Sequence, residues 1–212
     1  MNKEQLREVS TYYEDVWLSR LENGASDGCV HYGLHIDGMS TKPKINTNRL
    51  IENTLIREMP CRPMRSAKQK VLDLGCGVAG TMAFLRGKFD LFGVCSSEKE
   101  QRVAKTMHRG YIPAVRVLDY HQEAMNFYPL DAVYAVESLC QSWDRQAVLA
   151  NVKNSLVPGG VFLVLDAMLE GDVPDDGADP GEKSLKDMYD DVRVGFHVPD
   201  LYEVPLMEEL VT

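Results

Sequence analysis

The sequence predicts an α/β fold in which helices cover both faces of a mainly parallel sheet. Three observations carry that prediction. Short apolar runs of four to seven residues alternate with helical patterns between residues 71 and 166, as a parallel sheet with crossover helices requires. A tight glycine turn, Gly75-Cys76-Gly77-Val78-Ala79-Gly80, sits between a strand pattern and a helix pattern. The 212 residues are 44% apolar and 26% charged, an ordinary globular composition with room for one domain and its core.

The elements follow in order. Residues 3–21 place Leu6, Val9, Tyr13, Val16, Trp17 and Leu21 at helical spacing, and Asn23-Gly24 ends that helix. Residues 24–45 read as a Gly-rich loop containing His31-Tyr32-Gly33-Leu34-His35. Asn46 or Thr47 is expected to cap a second helix running to about Met59, with a basic linker after it. Strands are expected at Val71–Leu74, Leu91–Cys95, Ala114–Leu118, Leu130–Val136 and Val161–Asp166. The helices between them are Thr81–Gly87, Ser97–Arg109 and Trp143–Leu156, with Ser97 as a cap and Ser142 or Asp144 near the start of the last. Nine of the 22 residues from 170 to 191 are acidic, which reads as a loop or insertion. Asp200–Val211 reads as a further helix. The expected organisation is 1–66 as a helical cap and linker, 67–169 as the core, and 170–212 as an acidic insertion and C-terminal helix.

Composition narrows the function. The net charge of −9, from 32 acidic and 23 basic residues, disfavours a phosphate backbone as partner, so no nucleic acid is expected. No apolar run approaches the ~18 residues of a membrane span, and the charged N-terminus has no signal-peptide core. Five cysteines without a C-x-x-C pair fit reduced thiols and a cytoplasmic setting better than disulfides or zinc. His31 and His35 are four apart, but in a Gly-rich segment with no obvious third ligand, so no metal is expected.

Gly75-x-Gly77-x-x-Gly80 literally matches the dinucleotide fingerprint. Two features weigh against a dinucleotide. Asp73 stands at the strand end, where it would repel a pyrophosphate and attract an ammonium group. The second strand ends Gly-Val-Cys-Ser-Ser, without the acid that grips a ribose, although Glu98 and Glu100 just beyond could substitute.

Three segments in register resemble class I S-adenosylmethionine (SAM) dependent methyltransferases. Val71–Gly80 is similar to their first motif, Leu130–Ser138 to their fourth strand, and Leu156-Val157-Pro158-Gly159-Gly160-Val161 to the turn before their fifth. Tyr12-Tyr13-Glu14-Asp15, His31-Tyr32-Gly33-Leu34 and Gly93-Val94-Cys95-Ser96-Ser97 resemble the small-molecule branch. That branch contains the tocopherol, sterol and isoprenoid methyltransferases and the cyclopropane fatty acid synthases. Its second strand usually ends Gly-Val-Thr-x-Ser with a Gln soon after. Here Cys95 replaces the Thr and Gln101 falls one place late.

The resemblance implies a Rossmann-like methyltransferase fold, SAM as cofactor and S-adenosylhomocysteine as product. It implies cofactor contacts at Asp73, Gly75, Cys76, Gly77 and Gly80. Asp73 is expected at the amino group, Ser96, Ser97 and Gln101 near the ribose, Asp119 at the adenine amine, Tyr120 stacked on the ring, and Ala135 on strand four. Tyr12 and Tyr13 are expected to close over SAM; core packing accounts for Tyr13 and Tyr120 equally simply, and helix capping for Ser97. Glu137, ending strand four, and His31, at the mouth, are the candidate catalytic residues, with a structural role open for each. His197 is a weaker candidate facing the substrate.

The family sheet ends in an antiparallel hairpin of strands six and seven, for which no sequence is found. Strand five is then expected to be a bare edge. A truncated chain, a homodimer or partner chain covering that edge, and a naturally short variant all remain open. The function expected is methyl transfer from SAM to a small molecule (lipid, isoprenoid or alkaloid-like), at carbon, nitrogen or oxygen. The alternatives are a non-catalytic SAM-binding or scaffold subunit completed by a partner and, on the glycine pattern alone, an NAD-dependent oxidoreductase.

Overall fold

The computed structural model describes residues 3–18, 21, 28–29, 31, 33–35, 38, 40–60, 68–108, 110–121, 127, 129–169, 184, 186–187, 189–191 and 202–203. Five strands form the main sheet: β1 (Lys70–Leu74), β2 (Asp90–Cys95), β3 (Ala114–Val117), β4 (Leu130–Val136) and β5 (Leu156–Leu165). Every pairing is parallel and the order is β3-β2-β1-β4-β5. The helices are α1 (Lys3–Tyr12), α2 (Pro43–Glu58), α3 (Gly80–Leu85), α4 (Glu98–Met107) and α5 (Arg145–Ser155).

The strand pleat divides the core into two layers, because successive side chains point to opposite faces. Val71, Ala132 and Tyr134 join Ile51 and Leu55 of α2 and Met82 and Leu85 of α3 on one face. Leu72, Leu74 and Val133 join Val148 and Val152 of α5 on the other. Val71, Leu72 and Leu74 are fully buried, as a central parallel strand covered on both faces must be.

Several expectations need correction. Helix α2 begins at Pro43, whose fixed φ suits the first helical position. Asn46 and Thr47 lie inside it, buried, and bind the preceding loop instead. Asn46 Nδ2 donates to the carbonyls of Leu34 (3.0 Å) and Ser40 (2.8 Å), and Thr47 Oγ1 accepts from Leu34 N (2.9 Å). The first helix does not run evenly to residue 21. After α1 it becomes π-helical over Tyr13–Trp17, an irregularity that often marks functional sites. Two short strands, β6 (Met168–Leu169) and β7 (Tyr202–Glu203), pair in parallel as a separate sheet. Extended backbone therefore stands at 202–203, where a helix was expected. Residues 186–187 and 189–191 are helical rather than loop. Their start is fixed by Ser184 Oγ accepting from Asp187 N (3.0 Å) and Asp187 Oδ2 accepting from Ser184 N (3.2 Å). The rest of the 170–191 segment, and His197, lie outside the described residues.

The chain runs outward from β1 through β2 to β3 and then returns to the other side of β1 with β4. Ligands of open α/β sheets bind where the order reverses, outside the carboxyl ends of the strands. Here that point lies between the ends of β1 and β4, at Asp73–Gly75 and Glu137.

Candidate active site

A cavity of about 660 Å³ opens at the carboxyl ends of the strands, within the ~300–1,000 Å³ usual for small-molecule sites. Tyr13, His31, Asp73, Gly75, Cys76, Gly77, Gly80, Ser96, Asp119, Tyr120 and Glu137 all line it. Ser97, Gln101 and Ala135 do not. Ser97 caps α4. Gln101 Nε2 donates to Val115 O of β3 (2.7 Å). Ala135 is fully buried in β4.

The glycine turn brings backbone where side chains cannot fit. Gly75 has φ +88°, in the left-handed region. A Cβ there would lie 2.5 Å from Ser138 Cβ. Its N–H and that of Cys76 both donate to Val94 O (3.0 and 2.8 Å). At Gly80 a Cβ would lie 2.2 Å from the carbonyl carbon of Gly28, so the N-terminal segment approaches α3 backbone to backbone.

Asp73 is 4% exposed. It faces Tyr134, its register partner on β4, and Oδ2 accepts from the Tyr134 hydroxyl at 2.7 Å. Burial pushes its pKa up to about 7, against the lowering effect of that hydrogen bond. A cation placed at this wall would favour the charged carboxylate.

At the end of β2 the cavity acid is Glu100. Its Oε2 accepts from Ser96 N (3.1 Å), Ser96 Oγ (2.9 Å) and Ser97 N (3.1 Å), while Ser97 Oγ accepts from Glu100 N (3.1 Å). This is a capping box, legible as Ser97-x-x-Glu100. Burial raises the Glu100 pKa and the serine hydrogen bonds lower it. Oε1 takes no hydrogen bond among the described residues and is the atom nearest a Cβ built at Gly77 (3.7 Å). Glu98, by contrast, is exposed and pairs with Arg102 (3.6 Å).

After β3, Asp119 Oδ1 accepts from His121 N (3.0 Å) and bonds His121 Nδ1 (2.7 Å). His121 Nε2 bonds Ser142 Oγ (2.9 Å), and the imidazole stacks on Trp143 with centroids 3.5 Å apart. The Tyr120 hydroxyl donates to Ser138 O (3.0 Å). His121 and Trp143 both line the cavity. Neither was singled out from the sequence, although Asp-x-His spacing was its one signal.

The opposite wall comes from β4, β5 and the N-terminal segment. Glu137 holds φ +47°, a left-handed conformation that costs a non-glycine residue about 1 kcal/mol. Its N–H donates to Leu165 O (2.8 Å). Asp166 Oδ2 accepts from Leu139 N (2.8 Å) and Cys140 N (3.0 Å), and so holds the turn Leu139–Gln141. From that turn Gln141 Nε2 donates to the Tyr13 hydroxyl (3.0 Å). Burial keeps the Tyr13 hydroxyl and the Cys76 and Cys140 thiols protonated. His31 is 8% exposed. Among the described residues no group of three or more His, Cys, Asp and Glu is placed to hold a metal ion.

This strand order, with its cavity at the switch point, is a Rossmann-like fold shared with solved methyltransferase structures. The family described as "Methyltransferase domain" matches residues 72–164. The chain is 27% identical over 148 residues to an O-methyltransferase of Penicillium expansum, cnsE (67% of this chain, 54% of that protein). It is 26% identical over 201 residues to a cycloartenol-C-24-methyltransferase of Oryza sativa subsp. japonica (91% and 54%). Among solved structures, a geranyl diphosphate methyltransferase in complex with GPP and sinefungin superposes with a TM-score of 0.70 at 17% identity (98% of this chain, 79% of that one). The chain spans about half to two thirds of the length of the curated relatives it matches. No helix among the described residues is long and apolar enough to cross a membrane.

Proposed function

We propose that the protein is a SAM-dependent methyltransferase acting on a small, largely apolar acceptor. The observation that carries this reading is the placement of Asp73 near the end of strand β1, Glu100 in the first turn of α4 after β2, and Asp119 just after β3, around one cavity floored by the glycine turn. The donor set suits SAM. Asp73 would take its ammonium group, Oε1 of Glu100 the ribose hydroxyls and Asp119 the exocyclic amine. The glycines admit the methionyl part against the backbone.

SAM supplies an electrophilic methyl group on a sulfonium. The residues of this chain bind it, hold the acceptor in line and exclude water. Glu137 would orient the acceptor or take its proton, with His31 the second candidate. A base is needed only when the nucleophile carries a proton that must leave.

Leu18, Leu34, Trp143 and Leu165 give the cavity an apolar wall. Together with the sterol and prenyl methyltransferases it resembles, this supports a lipid, isoprenoid or alkaloid-like acceptor. The net charge of −9 favours a neutral or cationic acceptor over a polyphosphate. Free thiols at Cys29, Cys76, Cys95 and Cys140 support a reducing, cytoplasmic setting. The division into cap (1–66), core (67–169) and substrate-side region (170–212) is part of the same reading.

Strand β5 lies at the edge of the described sheet. This favours, as a second reading, a SAM-binding subunit completed by a homodimer mate or another chain at that edge. A monomeric solution mass with methyl transfer would remove it. The primary test is calorimetric titration with S-adenosylhomocysteine beside NAD. Binding of the first alone is expected; binding of NAD alone would overturn the proposal.

A further inference from the structure

Resting on the cofactor reading above, we infer that His121 is a positioning residue that makes Asp119 selective for a 6-amino purine. Asp119 and His121 are each 7% exposed in their side chains and lie 2.7 Å apart, Oδ1 to Nδ1. Oδ1 also receives the His121 backbone N–H (3.0 Å). One oxygen of the carboxylate is thus fully engaged, while Oδ2 accepts nothing among the described residues and belongs to a residue lining the cavity.

The far side of the imidazole is fixed as well. Nε2 meets Ser142 Oγ at 2.9 Å, and the ring lies on Trp143 at 3.5 Å with the planes 27° apart. Burial lowers the His121 pKa, outweighing the raising effect of Asp119, so the neutral ring is favoured. Neutral His121 has one N–H. Directed to Asp119, it leaves Nε2 to accept from the Ser142 hydroxyl, and every partner in the chain is satisfied.

The consequence is a carboxylate that cannot rotate and remains an acceptor. Oδ2 then presents lone pairs to an exocyclic amine. A 6-oxo purine would oppose its own carbonyl oxygen to that acceptor and leave both unsatisfied, a strong basis for rejection. Without His121 the carboxylate would be held by one backbone N–H only and could rotate.

The test compares binding of S-adenosylhomocysteine and S-inosylhomocysteine, which differ at purine position 6 and in the proton that the 6-oxo form carries on N1. Wild-type protein is expected to prefer the adenosyl compound. His121→Phe keeps a flat ring on Trp143 but removes both hydrogen bonds. It is expected to weaken adenosyl binding about 10- to 100-fold and leave inosyl binding nearly unchanged, so that preference collapses. His121→Gln, which can still donate to Asp119, should recover part of it. Equal weakening of both ligands would assign His121 a merely structural role and overturn the inference, as would undiminished preference in a folded His121→Phe protein. Failure of wild-type protein to bind either ligand would instead count against the cofactor reading.

Discussion

The two walls of the cavity are built by different means. On the wall made by β2 and β3, each carboxylate is held by residues two to four positions away: Glu100 by Ser96 and Ser97, Asp119 by His121. On the wall made by β4, β5 and the N-terminal segment, the contacts close over long stretches of chain. Gln141 reaches Tyr13 across 128 residues, and Asp166 holds Leu139 across 27. A group fixed by its sequence neighbours arrives with its own local fold. A group fixed at long range depends on every element between. The carboxylates of the proposed cofactor wall are therefore largely pre-organised, with a tie to the other wall where His121 meets Ser142 and Trp143, while the proposed acceptor wall depends on long-range contacts.

The two walls meet at Gly75, so Gly75→Ala is the substitution expected to break the comparison. Its Cβ would press on Ser138, whose hydroxyl donates to Leu74 O (2.6 Å), and its φ would be strained. A loss of about 2–4 kcal/mol of stability is expected, read as a fall in Tm and in homocysteine-product binding together. Retained binding at unchanged Tm would show that the walls are independent even where they touch.

Asp73→Asn should keep the fold, because Tyr134 can still donate to the amide oxygen. S-adenosylhomocysteine binding should weaken about 10- to 100-fold. The pH dependence has a definite sign. With its pKa raised to about 7 in the free protein, Asp73 must lose a proton before it can pair with an ammonium group. Binding should therefore weaken by up to about tenfold per pH unit below about pH 7, and the Asn variant should lack this dependence. The same raised pKa means the folded state binds a proton that the unfolded chain releases. Asp73 therefore costs stability as pH rises from its unfolded value through about 7. A flat binding profile in wild-type protein would place the ammonium group elsewhere.

Glu137→Gly separates function from stability on the other wall. Relief of φ +47° should offset the greater freedom of glycine in the unfolded chain and raise stability by up to about 1 kcal/mol, while methyl transfer falls and cofactor-product binding holds. Lower stability would mean that the side-chain contacts of Glu137 outweigh its backbone strain. The smallest effect is expected from Tyr13→Phe, which removes the hydrogen bond from Gln141. A cost of about 0.5–1.5 kcal/mol should appear mainly in the KM for acceptor, with the cofactor-product Kd barely moved. An equal loss in that Kd would assign Tyr13 to the other wall.

Much of the β1-to-β3 wall was legible in the sequence because its signals are local. Strand ends, the glycine turn and Asp119 all follow from short patterns. The capping box Ser97-x-x-Glu100 was legible too, as a serine followed three residues later by a glutamate. Tyr134 as the partner of Asp73 was not legible, since only the register of β1 against β4 brings them together.

By itself, then, the sequence determined the α/β class, the five parallel strands and the carboxylates at their ends, because strand period, glycine turns and caps act over a few residues. Tertiary structure alone decided that Asn46 and Thr47 would be spent on the loop that precedes helix α2. It also decided that Glu137 would be held left-handed and that Trp143 would lie on His121. Those outcomes come from packing segments far apart in the chain, where no local pattern records which neighbour a side chain will meet.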